Sequence, residues 1–293
     1  MSSTYPTPPS PEAIRVSGSR PRLPWFALAL LAPVLVFGIF GPLLFLHDPT
    51  AINLMTPQKP PVWLAGGEWA YPLGTDQLGR DLLSRLMEGA RVSLTIAAVG
   101  VLLAAMIGIT AGMAAGYFGG FVDTIISQIV DIKMSIPATL LIILLGAVIG
   151  GGLVTIVVSV IFLFWADYAR IIRAEALSLR ERGYVLLAKV ANAGHGRILR
   201  RHILPNLFGT CIVLVTLQVG RAILIEAGIS FIGLGVQPPA TAWGMMVFEG
   251  RSYLSTAWWL PTFSGLAITI TVLGTSLFGD WLRDRLDTRA SAL

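Results

Sequence analysis

The sequence predicts an all-α, polytopic membrane protein with six transmembrane helices. Three observations carry this. Of 293 residues, 55% are apolar and only 13% charged, with a mean hydropathy of +0.75, whereas a water-soluble domain carries about 25% charged residues. Apolar segments long enough to cross ~30 Å of hydrocarbon recur along the chain. The basic residues gather in alternate connecting stretches, the bias that fixes orientation in a membrane.

The elements follow in order. Residues 1–24 hold six prolines with Arg15, Arg20 and Arg22, a composition that buries no core and predicts a flexible cytoplasmic tail. Trp25 to Leu46 is a first span. It reads as uncleaved, because a signal peptide has a shorter apolar core and ends at a small-residue site. An external loop, 47–90, carries Pro49, Pro57, Pro60, Pro61, Trp63 and Trp69. Spans at 91–116, 125–149 and 153–169 come next, the third starting polar and becoming continuous at Ile136. A basic cytoplasmic loop, 170–206, precedes spans at 207–232 and 261–281. The stretch 235–260 between those two holds Pro238, Pro239, Trp243, Trp258 and Trp259, and tryptophans at such edges suit the membrane interface. Residues 25–288 thus form the membrane unit, and 289–293 a C-terminal cytoplasmic tail.

With the N-terminus inside, fourteen basic residues lie on the cytoplasmic side and five outside: Lys59, Arg80, Arg85, Arg91 and Arg251. Both termini are therefore expected in the cytoplasm of a cytoplasmic-membrane protein. The same bias explains the net charge of +5 without a nucleic-acid partner. Cys211 alone makes no disulfide, and His47, His195 and His202 are too scattered for a metal site. No P-loop is present, since Lys59, Lys133 and Lys189 follow Gln58, Ile132 and Ala188. Neither catalytic residues nor a cofactor site are expected in this chain.

Few ionisable residues fall within spans. Lys133 beside Asp131 reads as a side chain snorkelling to the cytoplasmic interface. Arg221 lies about 21 Å along the fifth span, where a charge must face protein or water. It either pairs with a group such as Glu226 or a neighbouring subunit, or lines a substrate path, unless the span itself is misplaced.

The loop 170–206 breaks at Asn192 to Gly196. Asn and Gly accept the left-handed conformation that ends helices, so two short helices joined by a tight turn are expected, with Pro205 at the start of the next span. The loop resembles the coupling loop of ABC-transporter permeases, whose pattern is Glu-Ala-Ala, three residues, Gly, nine residues, Ile, one residue, Leu-Pro. Ala188, Leu204 and Pro205 match. Leu186, Leu187, Asn192 and His202 depart, and Leu186 removes a charge that could meet an ATPase. Tyr184-Val185 and His202 to Asn206 are similar to the peptide-importer form of the loop.

Three further stretches resemble the C-type permease of dipeptide, oligopeptide and nickel ABC importers: Pro72 to Arg85, Glu226 to Gly244, and Phe278 to Asp287. The resemblance covers about residues 25–288. It implies a type I ABC importer permease fold. It also implies a second, homologous permease chain, two cytoplasmic ATPase subunits that bind ATP and Mg, and an extracytoplasmic substrate-binding protein. The ATPase contact is expected around Tyr184, Val185, Leu186, Leu187, Ala188, Asn192, Gly194, Arg197, Leu204 and Pro205. Asp76, Arg80 and Asp81 are expected to orient the external loop or to contact the binding protein, with Thr75 or Asp76 capping a short helix through Leu86. Asp280, Arg283, Asp284 and Asp287 are spaced to pair along one helical surface. Short peptides are the expected cargo, with nickel or other metal chelates, glutathione and opines as alternatives. An ion-coupled secondary carrier and an idle membrane scaffold are the readings from other classes.

Overall fold

A computed structural model describes residues 23–290, with side chains as far as Leu286. The expected N-terminal tail, apart from Leu23 and Pro24, lies outside the described residues, as do 291–293. Among the described residues the regular elements are all helices, joined by turns and irregular stretches, with one isolated bridge between Thr75 and Asp81.

Helix α1 (Trp25–Leu44) carries no charged side chain and buries only Ala27, Val34 and Gly41. These recur every seven residues, a single seam against the bundle, while Phe26, Ile39 and Leu43 stay exposed for lipid. Helix α2 (Leu82–Phe118) starts earlier than the sequence predicted. Its N-cap is Asp81, whose carboxylate accepts from the Ser84 N–H at 3.0 Å and hydroxyl at 2.6 Å. The expected cap at Thr75 or Asp76 is therefore corrected: no separate short helix precedes the span. At about 55 Å, α2 is far longer than the hydrocarbon requires.

Helix α5 (Leu153–Arg180) likewise runs past its expected end at 169. Its packing on α2 organises the bundle. Gly100, Ala104, Gly108, Gly112 and Gly116 repeat every four residues on one face of α2, all buried. A methyl group on Gly108, Gly112 or Gly116 would collide with the carbonyl oxygens of Trp165, Ala169 and Arg173 respectively. Three α2 positions four apart thus meet three α5 positions four apart, running in the same direction. Small residues are required because the two backbones touch.

The third expected span is a correction. It is two helices, α3 (Gly120–Ser135) and α4 (Ala138–Ile149), bent by 90° at the join. Pro137 disfavours helical geometry in the residue before it, and Ile136 is extended with φ −87° and ψ 122°. Among the described residues, five helices are long and apolar enough to cross a membrane, and this bent pair makes six if counted as one span.

Helices α6 (Gly183–Val190) and α7 (His195–Ile198) are the expected short pair. Through a π turn, Leu199–Ile203, α7 runs without a break into α8 (Leu204–Phe231). The wider turn falls just ahead of Pro205, which lacks an N–H to give to a normal helical turn. Instead of a simple turn after α8, the chain forms α9 (Trp243–Gly250) and a 3₁₀ turn before α10 (Trp259–Ala290). Trp243 is buried, donating Nε1–H to the Leu86 carbonyl at 2.9 Å, with Gly89 making room for its ring. This corrects its expected place at the membrane interface. Trp69 does remain exposed.

The α2–α5 seam yields a prediction. Gly112→Leu should destabilise the protein by ~2 kcal/mol or more through overpacking against backbone that cannot yield. Gly265→Ala, where an added methyl meets nothing within 4 Å, should not. Thermal unfolding of both variants in detergent checks this, and equal midpoints would contradict the seam.

Candidate functional site

The functional side chains expected from sequence fall in four places, two of which turn out to be buried supports. At one end of the bundle, α6 is closed by a Schellman turn. Asn192 takes φ 55°, its N–H reaches the Lys189 carbonyl at 3.0 Å, and the Ala193 N–H reaches that of Ala188 at 3.0 Å. Asparagine tolerates the left-handed residue this turn needs, so the departure from glycine keeps the geometry. Val185 is fully buried among Ile172, Ala176, Leu179, Ile198, Ile203 and Leu207. On the other face Tyr184, Leu186, Leu187 and Val190 are exposed. Gly194, Arg197, Leu204 and Pro205 also lie at the surface, and Ala188 is half-buried. The loop therefore presents an apolar surface from a well-anchored helix. Tyr117 at the end of α2 holds the second half by a hydrogen bond between its hydroxyl and His195 Nδ1 at 2.9 Å.

Midway along the bundle, Arg221 on α8 does not pair with Glu226. Its guanidinium stands 3.6 Å from Asp167 Oδ2 on α5 and 5.4 Å from the centre of the Phe164 ring. Gln218 donates to the same Asp167 oxygen at 3.4 Å. Lys133 on α3 does not snorkel away to an interface as expected; its ammonium donates to the Leu163 carbonyl, with Asp167 and Arg221 within electrostatic reach. Asp167 was missed in the sequence, although an aspartate inside the apolar stretch 153–169 was a signal available there.

Glu226 is separate and fully buried. It accepts from the Ser230 hydroxyl at 2.8 Å and the Ser93 hydroxyl at 3.1 Å. Ser93 in turn accepts the Trp243 N–H at 3.2 Å. A side chain added at Gly244 would strike Ala227 and crowd the Glu226 carboxyl. Glu226 thus ties α2, α8 and α9 together, facing no open path.

At the opposite end from α6, Asp76, Arg80 and Asp81 are buried, so the expected direct contact with a binding protein is corrected: these side chains point into the protein. Asp76 accepts from the Leu78 and Arg80 N–H groups at 2.8 and 3.0 Å. It also accepts from Arg80 Nε at 2.6 Å and from Arg85. Both arginines reach Glu249 Oε2 of α9, at 3.3 and 3.0 Å. Two carboxylates and two guanidiniums therefore balance in charge and pin the long loop to α9. Further out, Thr50 donates its hydroxyl and N–H to Asp48, which holds that carboxyl below its ordinary pKa range.

A family described as "Binding-protein-dependent transport system inner membrane component" matches residues 108–292. The chain belongs to this family. A peptide permease protein of Brucella suis biovar 1 is 40% identical over 267 residues, 90% of this chain and 86% of its own length. The di/tripeptide transport system permease protein DppC of Pseudomonas aeruginosa is 37% identical over 262 residues, 89% of this chain and 86% of its own. The fold is similar to a chain of the inward-facing MetNI methionine ABC transporter, with a TM-score of 0.55, 18% identity, and coverage of 70% of this chain and 97% of that one. The chain is accordingly a multi-pass inner-membrane permease of the ABC importer class, a translocation component, as the sequence resemblance implied. Permeases of this family work with ATPase and substrate-binding components.

In this permease the loop-end network has a measurable weight. Asp76→Ala leaves Arg80 and Arg85 buried beside the lone carboxylate of Glu249, and removal of one partner of a buried ion group costs about 3–5 kcal/mol. Denaturation of the purified variant in detergent should show that loss; a change under ~1 kcal/mol would mean that water reaches the network.

Proposed function

We propose that this chain is the permease that carries short peptides inward through an ATP-driven importer, with both termini in the cytoplasm. The observation that carries the cargo is the pair of names borne by relatives 37% and 40% identical over about nine-tenths of the chain, a di/tripeptide permease and a peptide permease. The positive-inside count supports the orientation, since it sets α6 and the basic stretch beside it on the cytoplasmic side. The partners are a homologous second permease, two ATPase subunits that bind ATP and Mg, and an extracytoplasmic binding protein. ATP chemistry belongs to the ATPases; this permease has the part of a moving gate.

The coupling surface is the exposed side of α6. Tyr184, Leu186, Leu187 and Val190 offer apolar contact where the family pattern has a charge, so the ATPase cleft is expected to be apolar in turn. Closure of the two ATPases on ATP pushes α6. Because Val185 is locked to Ile172, Ala176 and Leu179 of α5, the push passes into the α5–α2 pair and opens the path to the outside.

Two experiments test this. Proteoliposomes holding the full complex should take up a labelled dipeptide only with ATP and the binding protein. Uptake that follows an ion gradient without ATP would overturn the reading. Leu187→Asp places an unpaired charge in the apolar contact, a cost of about 2 kcal/mol or more. It should lower ATPase co-purification and ATP-dependent uptake at least tenfold while leaving the melting temperature of the isolated permease in place.

A further inference from the structure

Charged residues of this permease differ in how closely they are held. Asp76, Arg80, Arg85, Glu249 and Glu226 have their polar atoms turned toward one another or toward hydroxyls and N–H groups. The Arg221–Asp167 pair does not. Arg221 is 62% exposed and its nearest carboxylate oxygen is 3.6 Å away, beyond a charge-assisted hydrogen bond. Among the described residues its guanidinium makes no hydrogen bond, so its donors remain available. Phe164 braces it from one side. Asp167 has one oxygen shared between Gln218 and Arg221.

Position adds to this. Asp167 lies about 21 Å from the start of α5 and Arg221 about 26 Å from the start of α8, so both are mid-span. A half-exposed guanidinium at that depth must face water or protein rather than lipid. Lys133 reaches the same place from α3. Three helices therefore bring Lys133, Asp167 and Arg221 to one surface of a translocation subunit, with Arg170 also within electrostatic reach of Lys133, and the pair at its centre is loosely closed.

We propose that Arg221 and Asp167 form a way-station for a zwitterionic solute on the translocation path, the guanidinium receiving a carboxylate and the aspartate an ammonium group. This rests on the peptide reading above and names the part of the peptide that is read: its two charged termini. Guanidinium matches carboxylate in a planar, bidentate fork. Entry of a zwitterion between the two charges turns one ion pair into two and leaves the net charge unchanged. A solute with a single charge leaves Arg221 or Asp167 unpaired in a poorly solvated passage, which is costly. The loose resting pair is what makes the exchange possible, because a tight buried pair would have to be broken first. Lys133 keeps the surroundings positive and favours the carboxylate end.

The test uses the complete complex in proteoliposomes, with labelled dialanine bearing both free termini as probe and dialanine delivered per ATP hydrolysed as readout. Two variants are compared with the wild type. Asp167→Asn with Arg221→Met removes both charges together, an exchange that a purely structural ion pair tolerates. Arg221→Lys keeps the charge and loses the fork. Both complexes are expected to assemble. The neutral pair should deliver about tenfold less or lower, the scale of one charged hydrogen bond, and Arg221→Lys should fall between it and the wild type. Delivery unchanged in the neutral pair would overturn the proposal. So would a neutral pair that fails to co-purify with the second permease while Arg221→Lys behaves as wild type, since the charge would then serve assembly. A wild-type complex that delivers no dipeptide under ATP overturns the peptide reading itself, and the way-station with it.

Discussion

The contact between α2 and α5 is the constraint on which the rest of the structure depends. Inside a bilayer, apolar helices gain nothing by hiding from water, so they associate through close packing. Gly108, Gly112 and Gly116 give that packing by letting α5 carbonyls sit against the α2 backbone, and Gly100 by admitting the Val160 side chain. The result is a double strut that spans the membrane and continues beyond it. Tyr117 at the end of α2 and Ile172, Ala176 and Leu179 on α5 then share one core with Val185 of α6 and with Ile198, Ile203 and Leu207 beyond it. A force on α6 reaches the strut through packed side chains. No flexible linker stands between them.

What was legible in the sequence follows from where local chemistry decides. Asn192 announced its turn because few residues adopt φ 55° cheaply, and Pro205 marked the start of α8 because a missing N–H is harmless there. Pro137 carried an equally local signal, but the apolar run from Ile136 to Ile149 reads as continuous to any count of hydropathy, and hydropathy does not register a bend. The glycine stripe on α2 was likewise present as a spacing of four, hidden within a segment whose apolar character alone explained it.

The misread residues share a different cause. Asp76, Arg80 and Arg85 look like exposed loop charges until Glu249, more than 160 positions later in the chain, closes the network. Trp243 looks like an interfacial tryptophan until Gly89 opens a slot for it. Arg221 and Glu226 stand five apart on α8, which turns their side chains to different faces; one meets Asp167 and the other meets Ser93. In each case the partner comes from a distant segment, and tertiary packing rather than local preference selects it.

These partnerships also separate what is fixed from what can move. The end of the bundle around Asp76 and Glu249 is cross-linked by charges that cannot part without leaving a buried ion, and Glu226 fastens α9 to α2 and α8 in the same manner. That end resists rearrangement. At mid-span α5 and α8 meet through a loose polar contact, Arg221 standing 3.6 Å from Asp167 and Gln218 donating to the same oxygen at 3.4 Å. If closure of the ATPases pushes α6 as proposed, the far end is cross-linked by buried charges, whereas α5 and α8 are joined by the apolar core around Ile172 and Leu207, by the Thr210 hydroxyl donating to Glu175 at 2.9 Å, and by the loose Asp167–Arg221 contact. Of these contacts the Asp167–Arg221 pair is the most readily opened, and it lies on the surface that carries the exposed guanidinium. The loose charge contact and the exposed guanidinium thus coincide on one surface, the one proposed above to receive the solute.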